Sequence, residues 1–85
     1  MLTKERDVDT LEKIQKIIAT NLGAAPASVG PGSKASDFPE WDSLRHLVLV
    51  MDIEQAFGFK FALDEIAQLD SVEKILTAVQ KRVPV

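Results

Sequence analysis

The stretch that decides the fold is WDSLRHLVLVMDIEQAFG, residues 41–58. Aliphatic residues dominate it from Leu44 to Phe57, and Gly58 follows. This predicts an α-helix over residues 44–57, roughly 20 Å long, which ends at a glycine because glycine adopts the left-handed conformation without strain. Its apolar residues are predicted to cover most of the circumference, so that other elements surround it: Leu44, Leu47, Val50, Met51, Ile53 and Phe57. The predicted solvent face consists of Arg45, Val48, Asp52 and Gln55.

An amphipathic pattern also precedes this stretch. Apolar residues recur there at steps of three and four, which is the spacing of one helix face. The pattern predicts a helix that begins between Thr3 and Asp7 and ends near Gly23. Its apolar stripe consists of Val8, Leu11, Ile14, Ile17, Ile18 and Leu22.

Residues 23–40 are rich in glycine and proline and have no sustained period, so they are predicted to form one long loop. Loops longer than about 12 to 15 residues are uncommon in compact domains. This loop is therefore either functional or pinned to the core by apolar residues such as Val29 and Phe38, and both explanations stay open.

The part of the chain after Gly58 contains weaker signals. Residues 59–61 are predicted to be a short extended or turn segment, and residues 63–69 a short helix. Asp70 and Glu73 have the spacing of a capping box that opens a last helix, which Pro84 would end. The residues predicted to face inward in that helix are Val72, Ile75, Leu76 and Val79.

Together these elements predict an all-α fold. It is a small four-helix bundle, with three main helices, one short helix and a long loop between the first two helices. The chain has 85 residues, of which 46% are apolar, enough for one compact core and too few for two domains. We therefore expect a single domain over residues 1–85.

Composition and charge narrow the classes of partner. The net charge is −3 and the basic residues are scattered among acids, which disfavours nucleic acid and anionic membranes as partners. The longest apolar run, Leu47 to Met51, is far below the ~20 residues of a spanning helix, and the first residues lack the apolar segment of a signal peptide. With no cysteine, the chain is typical of a reducing compartment. We expect a cytoplasmic protein.

Asp42, Ser43 and His46 raise the question of a Ser-His-Asp catalytic triad. A triad needs the imidazole between the hydroxyl and the carboxylate, whereas these three residues fall within one helical turn. No glycine-rich turn exposes a nucleophile, and no oxyanion site is evident. We therefore expect no catalytic residues, and His46 is predicted to be an exposed helix residue.

Metal binding is equally disfavoured. The acidic pairs Asp52/Glu54 and Asp64/Glu65 have spacings that do not converge on one helix face, so a solvated surface explains them better than a metal site. Neither a metal nor catalysis is expected of this chain.

Ser43 stands at the start of the most apolar helix, directly after the long loop. Helix capping alone explains Asp and Ser at such a position, because their side chains accept hydrogen bonds from unpaired backbone donors. A phosphodiester on Ser43 would lie at the positive end of the helix dipole, where anions are stabilised. Two functions are therefore open: an attachment point for a covalent group, or a small helical protein-interaction domain without a prosthetic group.

Here the sequence resembles the acyl carrier proteins and related carrier domains. Asp42-Ser43-Leu44 and the helix after it are similar to the Asp-Ser-Leu motif of that family and to the helix that carries it. The later positions that resemble the family's third and fourth helices are Phe61, Ile66, Leu69, Asp70, Ser71, Val72 and Ile75.

The resemblance implies a carrier and not an enzyme. A phosphopantetheinyl transferase would attach 4′-phosphopantetheine to Ser43, and the arm would hold acyl groups as thioesters. Asp42 would position the serine and contact the transferase, and Leu44 would be an apolar docking residue. The further implied partners are an acyl-loading ligase or synthase and acyl-transferring enzymes, which would meet a monomeric carrier.

The resemblance also suggests two surfaces. Partner enzymes would dock on the solvent strip of the second helix, at Arg45, Val48, Asp52 and Gln55. The interior could shelter an acyl chain, although residues with this spacing are more often ordinary core. The candidates are Val50, Ile53, Phe61, Ile66, Leu69 and Ile75.

The residues around the motif depart from the pattern of many fatty-acid carriers. Glu40 and Trp41 stand where those proteins place glycine and a small residue, and Arg45, His46 and Val48 stand where acids are common. The strip nearest the arm is therefore neutral to basic and partly apolar. We expect a dedicated carrier of a specialised acyl, lipid or secondary-metabolite pathway and not the housekeeping fatty-acid carrier.

Overall fold

The structure is a computed structural model that describes the backbone of residues 2–82 and the side chains of residues 9–82. Four α-helices follow one another in this part of the chain, and two 3₁₀ turns lie in the first connection. The order is α1 (Leu2–Leu22), the turns Pro26–Ser28 and Ala35–Asp37, α2 (Ser43–Phe57), α3 (Leu63–Ile66) and α4 (Val72–Arg82). The predicted all-α architecture of three main helices and one short helix is confirmed.

The two long N-terminal helices end at glycines, as predicted. Gly23 after α1 has φ 69° and Gly58 after α2 has φ 76°, and both values lie in the left-handed region that favours glycine. α1 begins at Leu2, ahead of the predicted start. Across the described backbone, every helix is too short or too polar to span a lipid bilayer. The predicted end of α4 at Pro84 and the side chain of Val8 lie outside the described residues.

The first connection is more ordered than a structureless loop. Besides its two turns, it is pinned by Val29, which is buried, and by Phe38, which packs half-buried against the core. An isolated antiparallel bridge joins Lys34 to Ser71, so the end of the connection lies beside the start of α4. These contacts bring the residues before α2 close to α3 and α4.

The packing of α2 differs from the prediction. Only one face is buried, through Leu49, Val50 and Ile53, and this face packs against α1. The prediction that other elements surround α2 is wrong, because a chain of this length supplies too few helices to cover a second face. Three residues of the predicted apolar circumference are instead exposed: Leu44 at 72%, Leu47 at 50% and Met51 at 62%. The predicted solvent strip Arg45, Val48, Asp52 and Gln55 is confirmed as exposed.

The start of α4 also differs from the prediction. The Ser71 hydroxyl accepts a hydrogen bond from the Lys74 backbone N–H at 3.1 Å, so Ser71 caps the helix. The predicted capping box of Asp70 and Glu73 is wrong, because the helix begins at Val72 and its N-cap is one residue later than Asp70. The Asp70 carboxylate instead pairs with the Lys74 ammonium group at 3.1 Å. The predicted inward residues agree: Val72, Ile75 and Val79 are buried and Leu76 packs half-buried against the core.

α3 is shorter than predicted. It ends at Ile66, because the next turn tightens: the Gln68 N–H donates to the Glu65 carbonyl and the Leu69 N–H to the Ile66 carbonyl. The Arg82 guanidinium bonds the Glu65 carboxylate, which holds α3 against the end of α4. This ion pair therefore fixes α3 relative to the end of α4.

Candidate functional site

Asp42 caps α2 as predicted. Its backbone is extended, with φ −96° and ψ −174°, and its carboxylate accepts the Arg45 backbone N–H at 2.9 Å. Its own carbonyl accepts the His46 N–H at 2.8 Å and so begins the helical ladder. The capping task is thus performed by Asp42 and not by Ser43.

Ser43 is the first residue of α2 and is exposed. Within residues 9–82, its hydroxyl takes part in no hydrogen bond, whereas the hydroxyl of Ser71 at the start of α4 is engaged in capping. The first N–H groups of a helix carry a partial positive charge, which favours an anion bound nearby. Ser43 therefore combines an available hydroxyl with a position that stabilises a phosphodiester.

His46 is half-buried and bonded at both ring nitrogens, so the prediction that it is an exposed helix residue is wrong. The indole N–H of Trp41 donates to His46 Nδ1 at 2.9 Å, and His46 Nε2 lies 2.7 Å from the carbonyl oxygen of Ile66. An indole nitrogen can only donate and a carbonyl can only accept. The neutral imidazole with its proton on Nε2 satisfies both partners. We call this chain of two bonds the Trp41–His46 bridge.

The bridge also bears on the triad hypothesis. Both nitrogens of His46 are engaged by Trp41 and Ile66, and the Asp42 carboxylate is engaged by the Arg45 N–H. The His46 imidazole is therefore not available as the base that a triad needs to activate Ser43. The arrangement supports the prediction that Ser43 does not act as a catalytic nucleophile.

A groove of about 660 Å³ lies beside Ser43, between the start of α2 and α3. Its wall is mainly apolar, with Leu47, Leu63 and Ile66 on the helices, and Asp70 supplies a carboxylate. The hydrogen bond and charge of Lys74 hold the pKa of the Asp70 carboxyl below its usual range. The residues that line the groove are Ala35, Trp41, Asp42, Ser43, His46, Leu47, Leu63, Ile66, Ala67 and Asp70.

The structure separates the six predicted acyl-pocket residues. Ile66 lines the groove beside Ser43. The other five belong to the buried core: Val50, Ile53, Phe61, Leu69 and Ile75. Sequence reasoning missed Leu63, which is 86% exposed beside the groove. The signal that could have predicted its exposure was its place at the start of the short helix, because an apolar residue there has little core to contact.

The predicted docking residues form one exposed side of α2. Arg45 and Val48 lie near Ser43, and Asp52 and Gln55 lie toward the other end of the helix. The Asp52 carboxylate accepts a hydrogen bond from the Asn21 side-chain amide at 2.9 Å, which ties it to α1. Sequence reasoning missed that Leu44, Leu47 and Met51 are also exposed on this helix.

The described side chains contain no group of three or more histidine, cysteine, aspartate or glutamate residues that could hold a metal ion. Asp64 and Glu65 stand in the first turn of α3, where acids stabilise a helix start.

Comparison with known proteins shows the family of this chain. A family model described as "Phosphopantetheine attachment site" matches residues 12–79. The chain is 34% identical to an acyl carrier protein of Rubrobacter xylanophilus over 71 residues, which are 84% of this chain and 88% of that protein. It is 31% identical to an acyl carrier protein of Solidesulfovibrio magneticus, over 84% of this chain and 91% of that protein. The chain belongs to the acyl carrier protein family.

Members of this family are carriers and not enzymes, and their prosthetic group is a covalently attached 4′-phosphopantetheine. Their partners include a phosphopantetheinyl transferase and enzymes that handle acyl groups. The residues present fit the group, because an exposed and unbonded hydroxyl stands at the positive end of a helix with an apolar groove beside it.

Proposed function

We propose that Ser43 is the attachment point of 4′-phosphopantetheine and that the protein carries acyl groups for a dedicated pathway. The group supplies a terminal thiol that holds the acyl group as a thioester. The observation that carries the proposal is the Ser43 hydroxyl, exposed and unbonded among the described side chains while Asp42 caps the helix in its place. The serine is inside the range that the family model matches.

Attachment requires little of this chain. The Ser43 oxygen forms a bond to the β-phosphorus of coenzyme A, the pyrophosphate bond breaks, and 3′,5′-adenosine diphosphate leaves while the hydroxyl proton goes to a base of the transferase. The transferase supplies that base and the metal, which is consistent with a serine that has no activating partner. Asp42 keeps the helix start rigid, and Leu44, 72% exposed beside Ser43, offers an apolar contact to the transferase.

The docking surface supports a dedicated pathway. Its exposed apolar residues run from Leu44 through Leu47 and Val48 to Met51, with Arg45 among them. Each of the two acids farther along α2 has one carboxylate oxygen bonded within the protein. Asp52 is bonded to the Asn21 side chain, and Glu54 accepts the Phe61 backbone N–H at 2.7 Å.

A partner for this surface would be apolar and neutral at its contact site, since α2 offers few free carboxylates to a basic patch. Arg45, Val48, Asp52 and Gln55 are the residues at which we expect loading and transferring enzymes to dock. We further propose that the carrier works as a monomer in the cytoplasm, in keeping with its cysteine-free composition, and that neither nucleic acid nor a membrane is a partner.

The attachment is tested by incubating the protein with coenzyme A and a broad-specificity phosphopantetheinyl transferase and measuring intact mass. We expect the mass of one phosphopantetheine to be added to the wild type and to Ser36→Ala, a control at an exposed serine upstream. Ser43→Ala should stay unmodified. An unmodified wild type contradicts the proposal and favours a helical interaction domain without a prosthetic group. An adduct that persists in Ser43→Ala contradicts Ser43 as the attachment point.

The dedicated role has a separate test. Purified bacterial fatty-acid synthase enzymes should elongate acyl groups slowly on the loaded protein, compared with a housekeeping carrier under the same conditions. Elongation at equal rates contradicts the dedicated role and leaves the attachment site unaffected.

A further inference from the structure

We propose that the Trp41–His46 bridge closes the core on the side of Ser43, so that an acyl group carried there lies in the outer groove and not between the helices. This inference rests on the proposed role of Ser43. It also identifies Trp41 and His46 as positioning residues that decide where this carrier keeps its cargo.

The bridge joins three parts of the fold at the place where an acyl chain attached through Ser43 would enter the space between α2 and α3. Trp41 comes just before α2, His46 lies in the first turns of α2, and the Ile66 carbonyl is at the end of α3. The 2.9 Å bond fixes His46 against Trp41 at the start of α2, and the 2.7 Å bond spans the gap between α2 and α3. Trp41 is only 6% exposed, so its indole N–H has little access to water as an alternative partner.

The core lies directly behind this bridge. Val50 and Ile53 follow His46 on α2 at steps of four and seven residues, which places them on the same helix face. Both are at most 1% exposed and belong to the same buried cluster as Ile75 of α4. An acyl chain that entered between α2 and α3 would have to displace His46 before it reached them.

The groove offers the alternative site. Ser43 is part of its lining, together with Leu47, Leu63 and Ile66. Leu47 is 50% exposed and Leu63 is 86% exposed, so an apolar chain laid against them would remove apolar surface from water on both sides. The ligand class that fits this wall is an apolar acyl group held at the surface.

Methyl resonances in a nuclear magnetic resonance spectrum distinguish the two locations. The protein is loaded by the transferase with coenzyme A derivatives that carry a butyryl or a dodecanoyl group through a stable amide, and each spectrum is compared with that of the protein bearing the arm alone. We expect the dodecanoyl group to shift the methyl signals of Leu47, Leu63 and Ile66. The signals of Val50 and Ile53 should stay in place.

The single tryptophan gives a second reading, because its indole N–H resonance reports the bond to His46. In the loaded wild type the indole N–H should stay bonded to His46 and exchange slowly with solvent, although its resonance can move because Trp41 also lines the groove. In His46→Leu, which can neither accept nor donate, the dodecanoyl group should shift Val50 and Ile53. The matched control Gln68→Leu makes a similar change at an exposed position after α3 and should behave as the wild type.

Each outcome of these experiments tests one part of the proposal: the location of the acyl group, the role of the bridge or the role of Ser43. Shifts of Val50 and Ile53 in the loaded wild type, or no shifts in either set, overturn the groove as the acyl site. Shifts confined to the groove in both the wild type and His46→Leu overturn the role of the bridge. The wild-type spectra decide the location even where His46→Leu folds poorly. A protein that takes up no phosphopantetheine, detected by mass before any spectrum, contradicts the role of Ser43 and with it this inference.

Discussion

The Trp41–His46 bridge makes a prediction about stability that can be worked out bond by bond. Replacing His46 with alanine leaves the buried indole N–H of Trp41 without an acceptor and removes one of the two donors to the Ile66 carbonyl, which keeps the Leu69 N–H. A lost hydrogen bond costs roughly 1 kcal/mol and more when the abandoned group is buried, so we expect about 2 kcal/mol less free energy of unfolding. For a domain of this size that corresponds to a fall in Tm of about 10 °C.

A double-mutant cycle isolates the bond between the two side chains. Trp41→Phe keeps one aromatic ring in the core and removes the N–H donor together with the rest of the indole, so its cost should exceed the ~1 kcal/mol of the hydrogen bond by a cavity term. Since this bond is lost only once in the double variant, the two single effects should exceed the double effect by about 1 kcal/mol. Urea unfolding monitored by far-ultraviolet circular dichroism suits all four proteins, because the helical signal does not depend on Trp41.

Additive free-energy changes of the two single substitutions would refute the bond between Trp41 and His46. If the single effects add to within about 0.3 to 0.5 kcal/mol, as they do for residues that do not interact, the two side chains are not coupled in solution. A loss in His46→Ala no larger than that of an ordinary surface change, about 0.5 kcal/mol, would also contradict a bridge that spans α2 and α3.

Three further predictions concern other parts of the molecule. Gly58→Ala should lower the free energy of unfolding by about 1 kcal/mol, because alanine is strained at φ 76°. Backbone strain is the whole of the expected loss, since a Cβ at this position would meet no neighbouring atom. An unchanged Tm would contradict this prediction. The Lys74 pair lowers the pKa of Asp70 in the folded state, so its carboxylate stabilises the fold above the unfolded-state pKa and loses this effect as the pH falls through the folded-state pKa. Asp70→Asn should accordingly be about 0.3 to 0.5 kcal/mol less stable than the wild type at pH 7 and equal to it in strong acid, whereas a difference that persists in acid would refute that cause. Val48→Glu should reduce the kcat/KM of the transferase for this protein about tenfold relative to Thr77→Glu on α4, as expected for a residue that becomes buried in the contact with the transferase. Equal kcat/KM values for the two variants would argue against docking on α2.

The residues of each helix and their immediate neighbours were sufficient to predict that the helices form. The end of α2 follows from Gly58 and its own aliphatic run, and the capping role of Asp42 follows from its place before the first turn. Ser43 could be proposed as the attachment site for the same reason, because the signal is its position at a helix start and the identity of its immediate neighbours in the sequence. Features that depend on three or four neighbouring residues were thus predictable, except for the start of α4, where Ser71 and not Asp70 is the cap.

Features that depend on distant residues were not. The partner of His46 on α3 is a backbone carbonyl twenty residues later, which leaves no trace in side-chain identities. The exposure of Leu44 and Met51 could not be read from their apolarity either, since it reflects how few helices are available to cover α2. Both errors share one cause: tertiary contacts decide which face of a helix is covered.

The central claim is that Ser43 bears the prosthetic group, and peptide mass spectrometry of the loaded wild type tests it most directly. Trypsin cleavage after Lys34 and Arg45 releases one peptide, residues 35–45, that contains both Ser36 and Ser43. We predict that fragmentation of this peptide places the phosphopantetheine on Ser43. Fragments that place it on Ser36, or an adduct found in another peptide, would contradict the claim.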